Sequence, residues 1–189
     1  MGIRDVLFGR KQLKAAADDR IFALATAAVT LEHELNLKPA GKAGVCFKPI
    51  SAGEFVRAEN ELQELLDAAS VDTGSKVSRT EDEFGFTWIV VEDPDLEDLV
   101  TAVHLVSSEL GARGFGPQLL AAVFRFEGAD HPVYWIYSYK RGKFWPFVPT
   151  GKDQERNNSE ELELKAKLEK ELPIEDDLSR WFGTFGAPV

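Results

Sequence analysis

The sequence predicts an α+β protein with a mainly antiparallel sheet and helices packed on it. Apolar residues recur at helical spacing in some segments and alternate along others, as expected for a mixture of helices and strands. Helices and strands alternate only partly, and short turns join several strand pairs, which favours antiparallel pairing. With 189 residues, 44% of them apolar, the chain is long enough to bury a core.

The first helical region and the strand after it are marked by their end signals. Asp18 and Asp19 are suited to cap a helix, and Pro39 and Gly41 are expected to close it. The short apolar run over residues 45–47 predicts a strand.

The next segment opens with a capping box, in which the Ser51 hydroxyl and the Glu54 carboxylate satisfy amides at a helix start. Apolar residues at helical spacing over residues 55–69 predict the helix itself. Residues 76–80 are polar and predict an edge strand. Residues 84–91 are apolar on both faces and predict an interior strand.

The second half continues with a helix that Asp95 caps and that Gly111 and Gly114 end. Two buried strands are predicted over residues 119–126 and 133–139. A tight turn then leads to the last strand of the chain.

That last strand covers residues 144–148, and Pro146 places it at an edge because proline cannot donate a ladder hydrogen bond. Asn158 with Glu161 resembles a second capping box, which predicts a helix after it. The aromatic end over residues 181–188 is expected to dock on the core.

Charge divides the chain unevenly. The formal net charge is −10, yet residues 1–14 carry +3, which leaves −13 on residues 15–189. No basic patch of the kind that binds nucleic acid stands out, so we expect no nucleic-acid partner. The domain boundaries follow this division: residues 1–14 form an amphipathic basic segment, and residues 15–189 form a single α+β domain with the C-terminal helix and aromatic tail.

Residues able to bind metals or act as nucleophiles are few and scattered. Cys46 lies in an apolar strand, which indicates a small core residue, and one thiol cannot form a disulfide within the chain. His33, His104 and His131 share no ligand spacing. We therefore expect no metal and no cofactor, although a site assembled in space stays open.

No catalytic motif is recognisable. The segment from Gly111 to Gly116 is rich in glycine, but it follows a helix, whereas a dinucleotide-binding loop follows a strand. It is interpreted as a helix end and turn. The chain also lacks a signal peptide and a run of 18 apolar residues, so we expect a cytoplasmic protein.

A hairpin in the second half mixes aromatic rings with cations. Such a surface suits an anionic partner, so the partner-binding residues are expected to be Tyr139, Lys140, Arg141, Lys143 and Trp145. The alternative is an edge hairpin whose charges prevent aggregation.

The N-terminal segment has an apolar face next to cations, as in helices that lie on anionic membranes. The membrane-binding residues are expected to be Ile3, Arg4, Val6, Leu7, Arg10 and Lys11. The alternative is an ordinary helix packed on the core of this protein.

Six segments, spread over nearly the whole chain, carry a resemblance through their order. They are Val29-Thr30-Leu31, Val45-Cys46-Phe47, Phe84-Gly85-Phe86-Thr87-Trp88, Gly114-Phe115-Gly116-Pro117-Gln118-Leu119-Leu120, Tyr139-Lys140-Arg141-Gly142, and Leu178-Ser179-Arg180-Trp181-Phe182 with Gly186-Ala187-Pro188. In this order they resemble the phage-shock-protein-A-associated protein B (PspAB) family.

The resemblance implies a non-enzymatic accessory or adaptor protein of an envelope-stress response, acting at the cytoplasmic face of the membrane. It also implies a partner like phage-shock protein A (PspA), a membrane-remodelling coiled-coil protein, and a fold similar to type III secretion chaperone-like proteins. The family supplies no established catalytic residue to carry over. A homodimer is left open.

Two other functions stay open at this point. The first is an enzyme whose site forms only in space, which a pocket with several strongly perturbed titratable groups would favour. The second is a secretion-chaperone-like module that binds a client segment, which a large exposed apolar groove would favour.

We predict that residues 1–14 bind anionic vesicles weakly and reversibly. Each cation near an anionic surface contributes about 1 kcal/mol, and apolar burial adds roughly 25 cal/mol per Å². Ordering the segment costs about 1–2 kcal/mol per residue, and the anionic surface repels the rest of the chain, which carries −13, so binding should be weak. Because salt screens the attraction between the cations and the surface, binding should weaken further as salt is added. The measurement is vesicle co-sedimentation at low and physiological salt. Equal binding at low salt after deletion of residues 1–14 would contradict the prediction.

Overall fold

The computed structural model describes residues 19–48, 74–152 and 154–189, together with residues 64 and 67. The N-terminal segment over residues 1–14 and the capping box with most of its helix over residues 51–69 lie outside this part. The described strands are β1 (Lys38–Phe47), β2 (Lys76–Glu81), β3 (Thr87–Glu92), β4 (Leu119–Glu127), β5 (Pro132–Ser138) and β6 (Lys143–Phe147). The described helices are α1 (Ala23–Thr26), α2 (Ala28–His33), α3 (Leu96–Leu110) and α4 (Asn158–Leu168).

The six strands form one sheet in the order β2-β3-β1-β4-β5-β6, and every pair of neighbours is antiparallel. The prediction of an α+β fold with a mainly antiparallel sheet is therefore confirmed. The polar strand β2 and the proline-containing strand β6 occupy the two edges, as predicted. Strands β1 and β4 lie in the middle, and α3 contacts β1 and β3.

Strand β1 is longer than the sequence predicted. The preceding helix ends at His33, and Asn36, with a φ of 53°, lies in the turn after it; Pro39 and Gly41 do not close the helix, because both belong to β1. Pro39 pairs with β4 only, because the pairing of β1 with β3 begins at Lys42. Its missing N–H therefore breaks no ladder hydrogen bond to β3.

The turn between β2 and β3 corrects a second boundary. Asp82 accepts hydrogen bonds from the backbone amides of Phe84 and Phe86, each at 2.9 Å, and from Trp88 Nε1 at 2.8 Å. Gly85 has a φ of 78° in this turn. These bonds divert residues 83–86 from the strand, so β3 begins at Thr87 and Phe84 is exposed.

The cap of α3 is as predicted, whereas the cap of α4 is not. Asp95 accepts hydrogen bonds from the amides of Glu97 and Asp98 at the start of α3. At the start of α4 the capping residue is Asn157, whose Oδ1 accepts from the Glu160 amide at 3.3 Å. The predicted pair, Asn158 and Glu161, is wrong because Glu161 is engaged elsewhere.

The C-terminal tail docks on the sheet, as predicted. Phe182 packs edge-on against Trp145 at 4.7 Å between ring centroids, and Phe185 packs against Phe147 at 4.8 Å. Val189 lies over Gly44, where an added Cβ would come within 2.8 Å of the valine. Trp181 and Val189 are the buried apolar side chains of the tail, and fully burying a large apolar side chain stabilises a fold by about 1.5–3 kcal/mol.

A buried ion pair joins the tail to α4 and to the end of β6. Arg156 Nε lies 2.9 Å from both carboxylate oxygens of Glu161, whose side chain is 2% exposed. Glu161 Oε1 also accepts from the Val148 amide at 2.8 Å, and Arg156 Nη1 donates to the Trp181 carbonyl at 2.7 Å. The pair therefore satisfies groups from three separate segments.

We predict that Arg156→Ala lowers the free energy of unfolding by about 3–5 kcal/mol, because it leaves the Glu161 carboxylate buried without its counter-charge. The matched control is Glu163→Gln on the exposed side of the same helix, expected to change stability by less than about 0.5 kcal/mol. Urea titration of both variants measures the difference. Similar losses from the two substitutions would show that the pair does not stabilise the fold.

Candidate functional site

A cavity of about 1070 Å³ lies at one end of the sheet, where β1 ends and β3 and β4 begin. Six parts of the described chain build its wall. They are the sheet, which forms the floor, the β2–β3 turn, the end of α3 with the segment after it, the β5–β6 hairpin, Gln154 in the loop before α4, and the C-terminal tail. Most of the wall is apolar and aromatic.

The floor is a row of side chains that crosses four strands. Cys46 is paired across the sheet with Trp88 on one side and Ala121 on the other, and Ala121 is paired with Ser138. Directly paired residues of antiparallel strands point to the same face, so the four side chains form one continuous surface. All four are buried.

The glycine-rich segment forms a second side of the cavity. Gly111 and Gly116 line it, and Gly114 between them has a φ of 94°. Glycine adopts this left-handed backbone without the steric cost of a Cβ. The interpretation as a helix end and turn is confirmed, because α3 ends at Leu110.

The predicted partner-binding hairpin divides between the cavity and the core. Tyr139, Lys140 and Arg141 line the cavity, whereas Lys143 and Trp145 do not. Trp145 is completely buried and Tyr139 is nearly so. The C-terminal tail and the other residues of the cavity wall cover both rings.

Two of the hairpin cations already have partners. Arg141 Nε lies 2.8 Å from Glu175 Oε2, and Lys143 Nζ lies 3.1 Å from Asp176 Oδ2. The Lys143 contact, with a second one from Lys165, lowers the pKa of Asp176. Within the hairpin tip, Lys140 is the exposed cation. Binding by the five hairpin residues together stays a prediction.

The mouth of the cavity is marked by the lining residues that solvent reaches. Phe84 is 58% exposed and Phe182 is 46% exposed, which is unusual for such large apolar side chains. Lys48 and Lys140 are exposed beside them. Lys48, Phe84 and Phe182 were not predicted as site residues. The local pattern assigned Phe84 to a strand and Phe182 to a docked tail, and no motif surrounds Lys48.

The Cys46 thiol is held in its protonated form. Burial, together with a smaller contribution from the nearby negative charge of Asp82, raises its pKa from 9.0 to about 12. A thiolate is the reactive form of cysteine, so this environment makes the thiol inert at neutral pH. The prediction of a small core residue agrees with this burial.

The three histidines lie apart and have structural neighbours. His104 Nδ1 is 3.2 Å from Ser108 Oγ, and His131 Nε2 is 2.9 Å from a Glu160 carboxylate oxygen. His33 is exposed at the end of α2. Within the described residues, no three His, Cys, Asp or Glu side chains come together as a metal-binding group.

An antiparallel α+β fold with a large apolar cavity is typical of a protein that binds a ligand or a partner. The model of the PspA associated protein B (PspAB) family matches residues 1–189 of the chain. The chain therefore belongs to the PspAB family, and the resemblance found in the sequence is confirmed. The family is named for its association with PspA, which supports an accessory role and a PspA-like partner.

No curated protein and no solved structure matches the chain significantly. Five of the six segments that carried the resemblance contribute residues to the cavity wall. In the part of the chain that the structure describes, no helix has the length and apolar character needed to cross a bilayer.

We predict that Cys46 makes the protein less stable as pH rises above 9. Its folded pKa of about 12 exceeds the ordinary value of 9.0 for a thiol, so the folded state binds more protons than the unfolded state in this interval. The free energy of unfolding should fall by up to about 1.4 kcal/mol per pH unit. Cys46→Ala should remove this contribution to the slope.

The measurement is urea unfolding of both proteins from pH 8 to pH 11. Tyr134, whose pKa is also raised by burial, titrates in both proteins and cancels in the comparison. Identical slopes for the two proteins would contradict the raised pKa of Cys46.

Proposed function

We propose that this protein is a non-enzymatic adaptor that binds a PspA-type protein at the cytoplasmic face of the membrane. The observation that carries the proposal is the mouth of the cavity, where two exposed rings stand beside two exposed lysines. Family membership supplies the kind of partner.

The composition of the mouth suits protein recognition. Exposed aromatic side chains near a concave surface are the residues that most often contribute binding energy at interfaces. On a chain with a net charge of −10, Lys48 and Lys140 place two exposed positive charges on the lining of this cavity. Such a surface attracts an acidic partner and orients it.

The residues inside the cavity favour a binding function over a catalytic one. A catalytic site requires groups whose pKa values are shifted towards reactivity. Among the described residues of the wall, Cys46 has the clearly shifted pKa, and the shift holds its thiol protonated. Asp82 is committed to three hydrogen bonds within its own turn.

The membrane part of the proposal depends on residues 1–14. Their apolar face and four cations would bring the protein to the surface on which a membrane-remodelling partner acts. The acidic body would weaken this attachment, so the partner would supply most of the binding.

We predict that Lys48→Glu with Lys140→Glu weakens binding to the PspA-type protein of the same organism at least tenfold. The substitutions reverse both charges at the mouth and repel an acidic partner. The matched control is Lys76→Glu with Lys170→Glu, which changes the net charge equally at exposed sites outside the wall. Isothermal titration calorimetry measures both affinities.

Both double variants should unfold within about 0.5 kcal/mol of the unaltered protein per substitution, because the four side chains are exposed. Arg141 and Lys143 are unsuitable for this test, since both are ion-paired. Equal affinity of the unaltered protein and the mouth variant would overturn the mouth as the contact surface.

A further inference from the structure

We propose that the cavity binds the hydrocarbon chain of an anionic amphiphile, with the ligand's acidic head group at the mouth beside Lys48 and Lys140. This site lies behind the proposed partner-binding surface and goes beyond the adaptor function. The ligand class is a long chain with a carboxylate or phosphate head, as in a free fatty acid or a lysophospholipid.

The interior has the size and polarity for such a chain. Ligand cavities in proteins measure about 300–1,000 Å³ and are mostly apolar, and this one reaches about 1070 Å³. Trp88 from β3, Leu119 and Leu120 from β4, and Phe185 from the tail supply apolar surface from three different segments. When a hydrocarbon chain covers these side chains, apolar surface of both the cavity wall and the ligand is removed from water, which favours binding.

A slender chain fits this interior better than a helix does. An α-helix with its side chains is about 10–12 Å across and needs an open groove. The wall of this cavity is instead drawn from the β2–β3 turn, the β5–β6 hairpin and the C-terminal tail, around a floor whose own side chains are buried: Trp88 is 3% exposed, Ala121 1% and Ser138 4%. A single hydrocarbon chain is narrow enough to lie between these segments.

The charges fix the orientation of the ligand. Lys48 and Lys140 are exposed at the mouth, and within the described residues neither forms an ion pair. Arg141, the third cation of the wall, is neutralised by Glu175 at 2.8 Å. Asp82 is the one carboxylate among the described wall residues, and its negative charge disfavours an anionic head in the interior.

The experiment titrates the full-length protein with laurate, myristate and palmitate below their aggregation limits, followed by tryptophan fluorescence and calorimetry. Saturable binding that strengthens with chain length is expected. Lyso-phosphatidylglycerol in a parallel arm distinguishes a lipid head group from a free carboxylate. Hexadecyltrimethylammonium has a similar tail and a cationic head, and should bind at least tenfold more weakly than palmitate.

Two variants separate the head-group site from the interior. Lys48→Glu with Lys140→Glu should weaken palmitate binding about tenfold, whereas the control Lys76→Glu with Lys170→Glu should not. Ala121→Leu places a larger side chain on the floor and should weaken all the amphiphiles by tenfold or more. Its mouth is unchanged, so capture of the PspA-type protein should persist.

These outcomes keep the two proposals apart. Absence of saturable binding to any anionic amphiphile, or equal binding of palmitate and hexadecyltrimethylammonium, overturns the amphiphile site and leaves the adaptor function standing. A third outcome is that the unaltered protein binds no amphiphile and that Ala121→Leu no longer captures the partner. This result overturns the amphiphile site and indicates that a segment of the partner occupies the cavity. The head-group comparison uses the unaltered protein, so it decides the question even if Ala121→Leu fails to fold.

Discussion

The ion pair between Arg156 and Glu161 is the interaction on which the shape of the candidate site depends. Glu161 satisfies the Val148 amide at the end of β6, and Arg156 satisfies the Trp181 carbonyl at the start of the tail. The next residues of the tail, 182–185, form one side of the cavity. A charge pair whose residues do not line the cavity therefore positions the wall that an occupant would contact.

The same tail also explains why the hairpin is less exposed than its composition suggests. Trp145 packs against Phe182 and donates its indole N–H to the Phe182 carbonyl at 3.0 Å. The partners of Arg141 and Lys143 come from the segment between α4 and the tail. The exposed residues of the cavity lining therefore come from several segments: Lys140 from the hairpin, Phe182 from the tail, and Lys48 and Phe84 from elsewhere in the chain.

Much of the fold was predictable because its signals are local. The α3 cap at Asp95, the edge proline at Pro146 and the polar strand β2 depend on neighbours in sequence, and all three were predicted correctly. The errors have long-range or competing causes. Pro39 belongs to β1 because β1 extends beyond the residues that pair with β3. Phe84 lies outside β3 because Asp82 accepts hydrogen bonds from the amides of Phe84 and Phe86 in the turn. Glu161 was assigned to a cap because nothing in its neighbourhood shows that it is buried.

The sequence by itself determined the α+β class, the antiparallel sheet, most element positions and the PspAB family, since each follows from periodicity, caps, turns or the order of motifs. Only the tertiary structure decided which charges are neutralised and which rings remain exposed. Glu175 meets Arg141 across more than thirty positions, and the cavity wall combines residues from Cys46 to Phe185. Such contacts depend on strand order and on the docking of the tail, and no local pattern in the chain encodes them.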